Sequence, residues 1–220
     1  MTTDPRFLPG DIIAIGDIHG QFSLLVKMKE LLKNTGVNII FLGDLIDRAK
    51  DEDGDVLSVR LVRDLVENPE KHGLGWVESL KGNHEQMFLD AYNGWDVYTW
   101  FRNGGNPSAL RDLGEHYDWI KERPYYRIVE ETLFVHAGVF PNTPLNKQSL
   151  EDFIWIRQPF LTTDDLNIPG ITRVVHGHTP NFDGEAVRKG QRIGIDTAAF
   201  DTGILTGYNL RSDEVFQVKA

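Results

Sequence analysis

Ile12-Ile13-Ala14-Ile15-Gly16-Asp17-Ile18-His19-Gly20 and, some seventeen positions on, Val37-Asn38-Ile39-Ile40-Phe41-Leu42-Gly43-Asp44 are the stretches whose reading decides the fold. Each is a short apolar run closed by glycine, the pattern of a strand buried on both faces. Between them, Gln21 to Leu32 carries Phe22, Leu25, Val26, Met28 and Leu32 at helical spacing, and Asn34 and Gly36 end it. Strand, helix, strand implies parallel pairing through a right-handed crossover. Val56 to Glu67 repeats the helical pattern, Pro69 stops it, and Val77 to Leu80 supplies a third strand. The chain is therefore α/β.

Working outward, three more runs end as the first two do, in a residue with metal-binding chemistry. Val77 to Leu80 leads to Lys81-Gly82-Asn83-His84-Glu85, Thr132 to Val135 stops at His136-Ala137-Gly138, and Arg173 to Val175 stops at His176-Gly177-His178-Thr179-Pro180. Ligands of α/β proteins collect beyond the carboxyl ends of the strands. Asp17, His19, Asp44, Asn83, His136 and His178 are thus expected to meet at one edge of one sheet. Six such side chains point to a two-metal hydrolytic site.

The remainder bounds the protein class. A length of 220 residues allows one sizeable domain over 1–220, with a small excursion. That excursion is expected over 92–126, a polar and aromatic stretch that breaks the alternation and reads as a small helical cap beside the site. After Pro124 the chain turns β-rich, with runs at Tyr126 to Glu130, Arg192 to Ile195, Ile204 to Asn209 and Glu214 to Val218. A formal charge of -10 argues against a dedicated nucleic-acid binder. The absence of cysteine excludes disulfides, thiolate metal sites and a cysteine nucleophile. No leader-like or membrane-spanning run is present, so a soluble cytoplasmic protein without membrane partners is expected; nothing in the sequence speaks to oligomeric state.

The chemistry of the motifs is specific. Asp17 and His19 flank one residue, and a carboxylate paired with an imidazole suits Mn, Fe or Zn better than Mg. A carboxylate such as Asp44 has two oxygens and can bridge two cations. Asn83 offers an amide oxygen, and His84 an imidazole suited to proton transfer.

Gly16-Asp17-x-His19-Gly20, Gly43-Asp44-x-x-Asp47-Arg48, Gly82-Asn83-His84-Glu85, His136-Ala137-Gly138 and Gly177-His178-Thr179 occur in that order. Together they resemble the signature set of the calcineurin-like metallophosphoesterases, in the bacterial and phage form of the phosphoprotein phosphatase branch. Asn103-Gly104-Gly105 and Trp155-Ile156-Arg157 also resemble segments of bacterial members. The resemblance implies a β-sandwich of mixed sheets flanked by helices, and two divalent metals, manganese foremost, with iron, zinc or nickel as alternatives. It implies Asp17, His19 and bridging Asp44 on the first metal, and Asp44, Asn83, His136 and His178 on the second. A hydroxide between the cations would attack phosphorus. Arg48 and Arg157 would clamp the phosphate with Asn83 beside them, and His84, oriented by Asp47, would protonate the leaving alkoxide. His176 is expected to support the site without ligating, and His72 and His116 to lie on the surface.

The chain departs from the family pattern at Ala49, where relatives place glycine, and then runs into Asp51-Glu52-Asp53-Gly54-Asp55. That acidic run is expected to be a solvated loop, and it would favour phosphates flanked by basic residues if it borders the site. Thr179-Pro180 stands where nuclease and phosphodiesterase branches carry another histidine, which favours the phosphatase branch. The substrate implied is a phosphorylated protein or a small phosphoester. Hydrolysis of dinucleoside polyphosphates is the alternative, and His19 argues against it because that branch commonly carries glutamine there. A non-enzymatic scaffold would have lost ligands that this chain retains.

Overall fold

The computed structural model describes residues 4–220. Its framework is two five-stranded sheets stacked face to face, with helices on the outside. In the first, β1 (Ile12–Ile15), β2 (Asn38–Phe41) and β3 (Val77–Ser79) run parallel, joined by α1 (Phe22–Leu32) and α2 (Gly54–Glu67). β9 (Ile204–Asn209) and β10 (Glu214–Lys219) close its other edge antiparallel. In the second, β5 (Thr132–Val135), β6 (Arg173–His176) and β8 (Arg192–Gly194) run parallel, between antiparallel edge strands β4 (Tyr126–Val129) and β7 (Val187–Lys189).

Strand alternation divides the core. Ile13, Ile15, Ile39 and Phe41 face the helices of the first sheet, and Leu133, Val135 and Val174 face Phe153 and Ile154 of α7 (Leu150–Trp155). Ala14, Ile40, Phe134, Val175 and Ile193 fill the space between the sheets. A strand covered on both faces needs apolar residues at consecutive positions, hence the unbroken runs in the sequence.

The expectation of one sheet edge is corrected here, because the candidate ligands come from two sheets. β1, β2 and β3 belong to one, β5 and β6 to the other, and the stacked sheets present their carboxyl ends side by side. Strand runs of this length do not encode which sheet they join.

The 92–126 stretch follows α3 (Asn83–Tyr92) and forms three short helices, α4 (Val97–Arg102), α5 (Leu110–Gly114) and α6 (Tyr117–Lys121). Trp100, Leu113, Trp119 and Ile120 are buried in the same core as the first sheet's helices, whereas Trp95, Tyr98 and Phe101 face outward. His116 is buried, contrary to the surface expectation, and its Nδ1 lies 3.5 Å from Arg63. It is the residue preceding α6, which packs against α3 and carries it inward. His72 is partly covered, 2.8 Å from the Asp64 carboxylate. Among the described residues no helix is long and apolar enough to cross a membrane.

The acidic run also divides. Asp51, Glu52 and Asp53 are exposed, but Asp55 enters α2 and is buried, with burial and the nearby Asp47 pushing its pKa to about 7. Ala49 is free of left-handed strain; the positive φ values fall on Asp47 (69°) and Arg48 (62°) instead.

α8 (Ala199–Thr202) begins after Ala198, buried at φ 52°, a conformation that costs an L-residue roughly 1–2 kcal/mol. Ala198→Gly should therefore stabilise the fold by up to about 1 kcal/mol, the strain relief less the added entropy of glycine in the unfolded chain. Denaturant unfolding checks this, and a lower midpoint for the variant would contradict it.

Candidate active site

The site gathers at the carboxyl ends of five parallel strands, three from the first sheet and two from the second. Asp17 and His19 follow β1, Asp44 follows β2, Asn83 and His84 open α3 after β3, His136 follows β5, and His178 follows β6. Backbone bonds lace these loops together: Ile18 and His19 N–H both donate to Asp44 O, and Gly177 N–H to His136 O. Glycine permits two close approaches, since a Cβ on Gly82 would collide with the Asp44 carboxylate and one on Gly177 with that of Asp17. Left-handed backbone at His19, Asp44, Asp47, Arg48 and His178 is strain concentrated where these side chains are aimed.

Two groups of buried donors could each hold a metal ion, His19–Asp44–His84 and Asp44–His136–His178. Asp44 belongs to both and divides its oxygens between them. Oδ2 lies 3.6 Å from His19 Nε2, and Oδ1 lies 3.3 Å from His136 Nε2. Carbonyl partners set the imidazole tautomers, because a carbonyl only accepts. His19 Nδ1 donates to Ile46 O (3.0 Å), His136 Nδ1 to Leu42 O (3.0 Å), and His178 Nε2 to Trp155 O (3.2 Å). The opposite nitrogen of each ring is turned inward, toward the other site groups. Asn83 Oδ1 lies 2.9 Å from both His136 Nε2 and His178 Nδ1.

Acceptors facing acceptors require positive charge between them, and the protein's own charges supply some of it. Burial works against a charged His136, but the Asp44 carboxylate outweighs it and holds the pKa at about 9. Burial and the charge on His136 drive His178 the opposite way and keep its ring neutral. Burial and His84 depress His19 to about 3, leaving a neutral ring whose Nε2 accepts from Arg48 at 2.8 Å. Burial and the neighbouring Asp196 raise Asp17 well above the usual carboxylate range, while the surrounding histidines overcome burial and lower Asp44 well below it. Two neutral imidazoles, a third that would give up its proton to a cation, a shared carboxylate and an amide oxygen fit divalent metals that accept N and O donors. Asp17 lies outside both groups, and its carboxylate accepts from His178 N–H at 3.1 Å.

His84 Nδ1 donates to Asp47 Oδ2 at 2.6 Å, and its Nε2 faces the site, 3.1 Å from Arg48. Burial disfavours charge on His84, but the carboxylates of Asp44 and Asp47 prevail and raise its pKa. Arg48 lies over the ring of Phe200, 4.8 Å from its centroid. Arg157 donates to His178 O at 3.2 Å. A cavity of about 90 Å³ opens above these groups, bordered by Arg48, Asn83, Asn103, Trp155 and Arg157. A larger groove of about 820 Å³ lies at the opposite strand ends, where Arg211 is paired with Asp11 and none of these donors lie.

His176 is buried with its Nδ1 3.0 Å from Gly177 O and its ring edge-on to Phe160, and it joins neither metal group. Three contributors escaped the sequence reading. Glu85 accepts from the N–H groups of Asp44, Leu45 and Gly82 at 2.7–2.8 Å, tying the β2 and β3 loops together. Asp196 follows β8, is raised to about 6 by burial, and borders the cavity. Its signal was available, since Ile193-Gly194-Ile195-Asp196 repeats the pattern of an apolar run ending in a carboxylate. The third is Trp100, whose indole Nε1 donates to both Asp47 oxygens at 3.0 and 3.1 Å.

Residues 10–202 match the family model of the calcineurin-like phosphoesterases. Serine/threonine-protein phosphatase 2 of Salmonella typhimurium is 28% identical over 223 residues, covering 91% of this chain and 93% of that protein. Serine/threonine-protein phosphatase 1 of the same organism is 29% identical over 183 residues, covering 76% and 77%. A solved structure described as that of a candidate diadenosine tetraphosphatase superposes with TM-score 0.68 at 21% identity, covering 97% of this chain and 96% of its own.

Proposed function

The chain belongs to the calcineurin-like phosphoesterase family, and on that footing we propose that it is a two-metal phosphomonoesterase for phosphoserine and phosphothreonine. The observation that carries the reading is the division of Asp44 between two donor groups, with the His84–Asp47 pair alongside. In this reading the chain works as one cytoplasmic domain. Asp17, His19 and Asp44 hold one cation, and Asp44, Asn83, His136 and His178 hold the other, manganese foremost and iron, zinc or nickel as alternatives. When bound, the cations supply Lewis-acid charge that acidifies water and stabilises the oxygens of an in-line displacement.

The protein's own groups do the rest. Arg48 grips phosphate oxygens through its planar fork, and its seat on Phe200 limits where that fork can swing. Arg157 and Asn83 border the same cavity as Arg48 and contribute further contacts to the phosphate. Asp47 fixes the His84 tautomer with the proton on Nδ1, so that a proton taken up at Nε2 is the one delivered to the leaving oxygen. A serine alkoxide is a poor leaving group near neutral pH, which is why such a donor is needed.

The substrate class is tested by assaying the metal-reconstituted protein on phosphoserine peptides, nucleotides and dinucleoside polyphosphates. The highest kcat/KM is expected on phosphopeptides; faster hydrolysis of a dinucleoside polyphosphate would transfer the reading to nucleotides. A second cavity of about 330 Å³ beside Arg48 is lined by Asp51, Glu52 and Asp55, against Lys50. Peptides with Lys or Arg next to the phosphoresidue should therefore be preferred several-fold over acidic ones, roughly as one or two screened charge pairs allow, and less so as salt rises. Asp51→Asn with Glu52→Gln should remove that preference; indifference to flanking charge at low salt in the unmodified protein would refute it.

A further inference from the structure

We infer that Trp100, in the cap helix α4, is a positioning residue for proton delivery. Its indole N–H holds the Asp47 carboxylate in the orientation that receives His84 Nδ1–H. The inference rests on the reading of His84 as proton donor and extends it to an element that carries no part of the metal centre.

The geometry of Asp47 is the argument. Its carboxylate is wholly buried, and burial raises its pKa against the bonds that stabilise its charge. His84 donates to Oδ2 at 2.6 Å, while Trp100 Nε1 spans both oxygens at 3.0 and 3.1 Å. A carboxylate held only by His84 could turn about its Cβ–Cγ bond and carry the imidazole with it. A second donor bridging both oxygens opposes that rotation. Asp47 also has φ 69°, so its backbone is constrained where its side chain must be aimed.

Trp100 is itself locked. It is wholly buried, packs edge-on to Phe88 with ring centroids 6.2 Å apart, and is covered closely by Gly105, where a Cβ would strike the indole. The same segment reaches Arg48, because Gly104 O accepts Arg48 N–H at 3.3 Å and a Cβ on Gly104 would come within 2.7 Å of Arg48 Cγ. Residues 100–105 thus brace both Asp47 and Arg48. A buried indole N–H needs an acceptor, and the acceptor this one takes is the carboxylate that orients His84.

The test separates the N–H from the ring. Placing 3-benzothienylalanine at position 100 keeps the bicyclic shape and replaces N–H by sulfur; Trp100→Phe is the encoded counterpart, and Phe88→Leu loosens the same packing without touching the bond. With the benzothienyl side chain, kcat on a phosphoserine peptide should fall on the order of tenfold, below the 10²–10⁴ expected for loss of the donor itself. KM and turnover of p-nitrophenyl phosphate, whose leaving group needs no proton, should stay nearly unchanged. Equal losses on both substrates, or the same leaving-group dependence in Phe88→Leu, would overturn the role of the N–H. His84→Asn assayed in parallel distinguishes the layers: without leaving-group dependence there, the reading of His84 fails first.

Discussion

Asp44→Asn is expected to lose both metal ions together and with them nearly all turnover. Asp44 alone contributes to both donor groups, one oxygen toward His19 and the other toward His136. Asparagine keeps one oxygen and turns an N–H toward one of the two groups, so one position faces a donor where it needs an acceptor and both lose a negative charge. His84 N–H also rests on Asp44 Oδ1 at 3.0 Å, so the start of α3 shifts with the same change. Metal affinity should fall by more than the 10–100-fold typical of losing a residue that only orients a ligand. Elemental analysis and calorimetric titration with Mn measure this directly. Full occupancy of two ions in the variant would sink the bridging assignment, and loss of a single ion would make Asp44 a ligand of one metal only.

The second large effect is selective. His84→Asn should cut turnover on alkyl phosphates by roughly 10²–10⁴ while affecting p-nitrophenyl phosphate far less. The variant also decides between two roles that geometry alone permits, because His84 Nε2 falls within one of the metal-holding groups. Retained metal with a leaving-group-dependent loss identifies a proton donor; lost metal with equal losses identifies a ligand. The bond from Nδ1 to Asp47 favours the donor, since it orients the ring with Nε2 toward the cavity next to Arg48. Arg48→Ala should weaken both substrates alike, as loss of a phosphate clamp does not discriminate leaving groups.

Much of this arrangement was legible in the sequence because it depends on local rules. A buried strand requires consecutive apolar residues, glycine marks where the chain must turn tightly, and the residue beyond the strand is the one exposed at its carboxyl end. Those rules placed Asp17, Asp44, His136 and His178 at strand ends, and the order of motifs carried the family resemblance. The same rules, applied to Ile193-Gly194-Ile195, would have reached Asp196. They also predicted the helices of the first crossovers to within two residues at their starts.

What only the tertiary structure decided are the relations that need distant segments to meet. A strand of four residues carries no mark of the sheet it joins, so the gathering of ligands from two stacked sheets became visible only in three dimensions. The burial of Asp55 and His116 depends on packing by elements far away in sequence, whereas charge and polarity alone argued for solvent. Glu85 sits beside recognised residues, yet its task is to hold Asp44 and Leu45, some forty positions earlier. Trp100 lies within the stretch that broke the pattern, and its aromatic neighbours Trp95, Tyr98 and Phe101 point away from the core. Composition cannot distinguish them. The docking of α4 against α3 buries one ring of this aromatic stretch and turns its indole N–H onto the carboxylate that orients His84.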